Sequence, residues 1–194
     1  DNDGNQIQGN SYLINNTIAD NYVSGQGNNE SGESGGVHIN HGNEGSGAWF
    51  NNIFWGNRSD ASGEPSRHNL SMHDPNTFLI AADYNDIEDY DYSLGSNSFG
   101  YNPLFTAAAT GDFTLSDASP LIGAGTASYG GNSAPANDII SATRPNPEQS
   151  NPDMGAYENS LSISPYPSPV SGIAGTAGNQ SAVLAWTVNS EDDI

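Results

Sequence analysis

The feature that most constrains this chain is a repeat. Leu13-Ile14-Asn15-Asn16-Thr17-Ile18-Ala19-Asp20-Asn21 and Trp49-Phe50-Asn51-Asn52-Ile53-Phe54-Trp55-Gly56-Asn57 share an Asn pair and a later Asn in one register, 36 residues apart. A weaker third block, Ala82-Asp83-Tyr84-Asn85-Asp86-Ile87, aligns Asn85 with Asn52 and Ile87 with Phe54 at a spacing of 33. Self-similarity at this period predicts a solenoid, in which each rung buries its apolar row against its neighbours. Composition agrees on strands: 23 Gly and 11 Pro among 194 residues disfavour helix interiors, and no window carries apolar residues at helical spacing over three turns.

Alternation along a strand then assigns faces. Ile14, Asn16 and Ile18 are expected to point inward, with Phe50, Asn52 and Phe54 above them, leaving Trp49, Ile53 and Trp55 outside. A buried Asn between apolar residues is costly when unpaired, but in a stack each amide can bond the next. Two structural Asn columns are therefore expected, Asn16-Asn52-Asn85 and Asn21-Asn57. The stretches 24–36 and 58–69 read as long polar loops, with a short strand candidate at 36–40 between them.

After the last block come Asn102-Pro103-Leu104-Phe105, Gly111-Asp112-Phe113-Thr114-Leu115, Ser119-Pro120-Leu121-Ile122-Gly123-Ala124-Gly125-Thr126 and Asp153-Met154-Gly155-Ala156-Tyr157-Glu158. In that order they resemble the closing segment of large secreted bacterial proteins of the right-handed parallel β-helix, pectate-lyase-like family. The resemblance implies an all-β solenoid with a C-terminal cap over 1–159, in which 112–115 and 119–124 cover the open end of the coil. It also implies a secreted or cell-surface location. The family hosts enzymes, adhesins and structural proteins alike, so it implies no single activity.

Residues 160–171 are Pro-rich and read as a stiff linker. Residues 172–194, with Ala182-Val183-Leu184-Ala185-Trp186-Thr187-Val188, resemble the first strands of a fibronectin type III domain, with Trp186 as its core tryptophan. Such a sandwich needs about 100 residues, so a partial β-sandwich is expected here. Asp1 reads as the interior of a longer chain.

Charge narrows the partners. With 23 acidic residues, three Arg and no Lys, the net charge is -20, which argues against nucleic-acid and membrane-surface binding. No apolar run approaches the roughly 20 residues of a bilayer span, so no membrane insertion is expected. The chain has no Cys, excluding disulfides and thiolate metal sites. Oxygen-ligated calcium fits an acidic surface, and the acidic stretch offers Asp83, Asp86 and Asp89, with Glu88 and Asp91 among them. Asp1 and Asp3, in Asp1-Asn2-Asp3-Gly4-Asn5, are a second calcium candidate; solvated turns are the alternative for both. His38 and His41 lie too close together along a strand-turn to converge, and read as surface residues.

An outward Trp49 and Trp55 would suit stacking on sugar rings or a partner protein, unless loops or the cap fold over them. Lyases of the resembled family use calcium and an Arg or Lys base; Arg58 and Arg67 fall in the loop after Trp55 and Arg144 in the cap, none on a rung strand. A hydrolase would need carboxylates converging at about 5–9.5 Å. No catalytic residue is assigned. The expected function is an extracellular, non-catalytic β-helix module, structural or adhesive, that binds polysaccharide or a cell-surface protein. The alternatives are a polysaccharide lyase or glycoside hydrolase with its groove mainly upstream, and a self-assembling filament or surface-layer subunit.

Overall fold

The computed structural model describes residues 10–24, 34–39, 47–60, 68–72, 81–89, 94–162, 171–178 and 181–187. These residues are all-β, without an α-helix. The chain divides into two compact units, Asp1–Ser164 and Pro165–Ile194.

The first unit stacks parallel strands. β1 (Ser11–Ile14), β2 (Thr17–Ala19), β3 (Tyr22–Val23) and β4 (Val37–Ile39) form one rung; β5 (Gly47–Phe50), β6 (Ile53–Trp55), β7 (Arg58–Ser59) and β8 (Leu70–Met72) form the next. β9 (Ala81–Asp83) and β10 (Asp86–Ile87) begin a third. The sheets run β1-β5-β9, β2-β6-β10, β3-β7 and β4-β8, every pair parallel. Leu13 pairs with Trp49 and Trp49 with Ala82, while Ile18 pairs with Phe54 and Phe54 with Ile87. The 36- and 33-residue intervals are thus the strand register, and the arrangement is solenoid-like.

Corners between strands are made by left-handed residues. Asn15, Asn51 and Tyr84 (φ 54°, 57° and 55°) turn the chain between the first and second strand of each rung. Asp20, Gly56 and Asp89 (φ 55°, 70° and 55°) turn it after the second. Asn and Asp tolerate this region, which explains their recurrence at these points. Gly56 has a second reason: a Cβ there would lie 2.1 Å from Asp20 Oδ1.

The first corner corrects the expected faces. A left-handed residue interrupts the alternation, so Trp49, not Phe50, shares a side with Asn52 and Phe54. Trp49, Phe54, Leu70, Ile87 and Leu94 form the inner core, with Leu13, Ile18, Val37 and Ala82 against it. Trp49 is 3% exposed, stacks on Phe54 at 6.4 Å, and its indole N–H donates to Ser11 Oγ at 3.0 Å. Ile14 and Phe50 therefore face outward; Phe50 meets Tyr129 of the hairpin β13 (Ser128–Tyr129)–β14 (Asn132–Ser133).

Residues 94–101 close the end of the stack. Leu94 enters the core, and Phe99 pairs with Asp86 through Ile87 N–H to Phe99 O and Phe99 N–H to Asn85 O. The segment expected to cover that end lies instead along the side wall. It includes the antiparallel pair β11 (Phe105–Ala107)–β12 (Asp112–Leu115). Leu115, Leu121, Ile122 and Met154 pack on Ile53, beside Trp55, Tyr84 and Phe99. The outward apolar residues of the wall need cover, and this strap supplies it.

In the second unit, β15 (Ser171–Gly178) and β16 (Ser181–Thr187) pair as an antiparallel hairpin, with Val183 and Leu184 exposed. The side chain of Trp186 lies outside the described residues.

Candidate functional site: a cleft at Trp55

Among the described residues, Asn side chains form hydrogen-bonded columns along the stack. Asn16 and Asn52 each donate both the backbone N–H and Nδ2 to Oδ1 of the Asn one rung on, at 3.0 and 3.1 Å to Asn52 and 3.2 and 2.8 Å to Asn85. Asn52 Nδ2 also donates to Leu13 O and Asn85 Nδ2 to Trp49 O. Ser98 Oγ takes the terminal place, accepting from Asn85 N–H at 3.1 Å. Asn21 donates to Asn57 in the same manner, and Asn57 to Asn69, a member of this column that the repeat did not disclose.

The first Asn of each pair forms a further column outside. Asn51 Nδ2 donates to Asn15 Oδ1 (3.1 Å) and Thr126 O, and Asn51 Oδ1 accepts from Thr126 N–H. Asn15 Nδ2 donates to Asp153 O at 2.9 Å. The Asn-Asn signature therefore has two tasks: one amide binds the rungs together, and the other fastens the strap.

Beside this scaffold lies a cleft of about 480 Å³, lined by Asp20, Trp55, Gly56, Arg58, Glu88, Asn102, Leu104, Phe105 and Ala108. Trp55 points outward from β6 and remains half-buried because the strap covers part of its ring. Arg58 stands on β7, paired in register with Tyr22, so it is a strand residue and not a loop arginine. Its guanidinium grips Glu88 with both arms, Nη1 to Oε2 at 2.9 Å and Nη2 to Oε1 at 3.1 Å. Gly56 N–H (2.7 Å) and Asn69 Nδ2 (3.2 Å) also donate to Glu88 Oε2.

These bonds fix the charge states. Burial alone would raise the Glu88 pKa, but the Arg58 bonds, with Gly56 and Asn69, outweigh it and hold the carboxyl below its ordinary value. Arg58 is raised, chiefly by its bond to Glu88. A carboxylate held ionised is a poor general acid, and a guanidinium held protonated is a poor base. What the cleft offers is a flat aromatic face, the Asp20 carboxylate and an Asn102 amide.

The remaining candidates are dispersed. Trp49 is in the core and does not line this cleft. Asp83 accepts from Tyr84 N–H and Asn97 N–H through Oδ1 and from Asn97 Nδ2 through Oδ2, which ties down the closing residues 94–101. Asp86 is fully buried; Oδ1 accepts from Tyr101 N–H at 2.7 Å and Oδ2 has no partner. Desolvation raises its pKa to about 8, against the Tyr101 bond, with Glu88 adding to the rise. Asp89 is a corner residue. Among the described residues no three His, Asp or Glu side chains converge as a metal site. Asp1, Asp3, Asp91, His41 and Arg67 lie outside the described residues; His38 is exposed on β4. Arg144 is buried against Glu158 (Nε to Oε2, 2.7 Å) inside the strap, far from a surface role.

Among the described residues no helix is long and apolar enough to cross a membrane. Comparison of the chain with protein-family models, with curated proteins and with solved structures found no match.

Proposed function

We propose that this chain is an extracellular, non-catalytic module of the right-handed parallel β-helix, pectate-lyase-like kind, followed by the opening strands of a fibronectin type III-like domain. Its task is to bind glycan on the wall of the coil. The observation that carries the reading is Trp55: an outward tryptophan on a rigid rung strand, in a cleft walled by Arg58, Glu88, Asp20 and Asn102. An aromatic face stacks on the apolar face of a pyranose ring, and flanking carboxylate and amide groups bond its hydroxyls.

The ion pair in the cleft favours binding over turnover. Glu88 and Arg58 neutralise each other and sit in the wrong protonation states for acid and base roles. Acidic polymers are disfavoured by the net charge of -20, so neutral glycans suit the cleft better than polyuronates.

Calorimetric titration with neutral and acidic polysaccharides, each with and without calcium, tests this. Neutral glycan is expected to bind without being cleaved, and Trp55→Ala to weaken it about tenfold, near 1.4 kcal/mol. Chain shortening of any of the polysaccharides, or equal affinity in Trp55→Ala, would overturn the reading. A calcium-dependent affinity would locate a cation in the complex.

A further inference from the structure

Next to Arg58, at the edge of the Trp55 cleft, stands a second aromatic ring. Arg58 lines the cleft and pairs in register with Tyr22, one rung away on β3. Tyr22 also follows Asp20, another lining residue, by two positions. On these short strands Tyr22 and Arg58 are exposed, whereas Val23 is half-buried and Ser59 buried, so the two exposed residues share the outer face. Tyr22 is 61% exposed, more open than the half-buried Trp55.

Two contacts hold that ring in place and leave its surface open. The Tyr22 hydroxyl donates to Asp60 Oδ2, which fixes the ring at its tip, while the pairing of β3 with β7 fixes its backbone. Arg58, the side chain beside it in register, leans the other way and grips Glu88 in the third rung. A ring held before a ligand arrives loses little rotamer freedom on binding. Between Trp55 and the Tyr22–Arg58 pair lies the corner at Gly56, which has no side chain to raise a ridge there.

We propose that Tyr22 is a second sugar-stacking residue, and that the cleft takes a neutral glycan chain running from Trp55 across the Gly56 corner to Tyr22. The proposal rests on the glycan reading of the cleft. Trp55 and Arg58 are three residues apart, at most about 11 Å along the backbone, and Tyr22 is one rung, about 4.8 Å, from Arg58. Rings set that far apart, on two walls of the coil, suit successive sugars of a chain and not one pyranose. The sugar between them lies over Asp20 and Arg58, whose charged groups bond its hydroxyls. Equatorially linked hexoses fit best, because their chain stays extended and offers one flat ring face after another to the aromatics.

The test is calorimetric titration of the full chain with β-1,4-linked glucose and mannose oligomers of one to six units. Affinity is expected to rise about tenfold from the disaccharide to the tetrasaccharide. Tyr22→Ala should remove that gain and leave disaccharide affinity unchanged, which also shows that the variant folds. Tyr22→Phe, which keeps the ring and loses only the bond to Asp60, should keep most of the gain. Tyr101, comparably exposed at 58% beside Asn102, is the control, and Tyr101→Ala should change nothing. A gain that survives Tyr22→Ala, or is lost in Tyr101→Ala instead, overturns the second subsite and leaves the reading of Trp55 standing. So does a neutral polysaccharide that binds through Trp55 while the oligomers show no gain with length. If no neutral glycan binds, or Trp55→Ala binds as well as the unaltered chain, the reading of the cleft falls and Tyr22 with it.

Discussion

Asn52 concentrates the polar logic of the stack in one buried side chain. It accepts from Asn16 N–H and Nδ2, donates to Leu13 O and Asn85 Oδ1, and has no exposed surface. Removing it strands several buried groups at about 1–3 kcal/mol each, with partial relaxation. Asn52→Ala is expected to cost about 3 kcal/mol in urea denaturation. Asn16→Ala, at the exposed end of the same column, should cost about 1 kcal/mol or less. Equal losses would mean that burial along the column is not what gives the amides their weight. This column was legible from the repeat, because an Asn recurring among apolar residues in one register is tolerable only where the next rung satisfies its amide. Asn69 was not: it joins the Asn57 column from outside the repeated block, 12 residues on in sequence, so only the folded chain brings it there.

At the scale of elements, the corner decides the faces. Alternation read straight through Asn51 placed Trp49 outside and Phe50 inside. A left-handed residue adds a turn without respecting the two-residue period, so every assignment before it reverses while those after it stand. The Asn pair marked that corner, but its backbone angle is a property of the fold. The strap depends on similarly local geometry. Gly155 has φ 90°, and a Cβ there would lie 2.6 Å from Ile53 Cδ1 and 2.7 Å from Thr17 Oγ1. Thr17 Oγ1 also accepts the Ala156 N–H, so the contact is needed where it is. Gly155→Ala is expected to cost about 1–3 kcal/mol and to loosen the strap. Limited proteolysis within 115–125 should accelerate before the Asn columns open. Unchanged cleavage there would show that the strap is held mainly by Met154 and Leu121.

For the whole molecule, charge and burial act together on pH dependence. Asp86 is pushed up to about 8 and Asp153 to about 7, both chiefly by burial, from an ordinary value of 3.8. Between those values the folded chain holds protons that the unfolded chain has released. Their contribution is therefore fully present below pH 3.8 and is lost as pH rises through about 7 for Asp153 and about 8 for Asp86. Each group gives a slope of about 1.4 kcal/mol per pH unit inside its window. Self-repulsion from a net charge of -20 works in the same direction as pH rises. Stability in urea is expected to fall from pH 5 to pH 8, and Asp86→Asn, which keeps an acceptor for Tyr101 N–H, should flatten that fall. Parallel curves for the two proteins would mean that Asp86 is ionised in the folded state.

The sequence by itself determined the strand register and the inward amide columns, because a period of 33–36 residues has to be satisfied by local hydrogen bonds repeated rung after rung. It also marked two strands after the Pro-rich stretch, whose antiparallel pairing as β15 and β16 is a property of the fold. Only the tertiary structure decided where the closing segment lies, which tryptophan is buried, and that Arg58 and Glu88 meet beside Trp55. Those outcomes rest on contacts between residues far apart in the chain, whose partners carry no period. The side-wall strap follows the same rule: the wall residues Ile53 and Trp55 are visible in the repeat, but what covers them is settled by packing 60 to 100 residues later in the sequence.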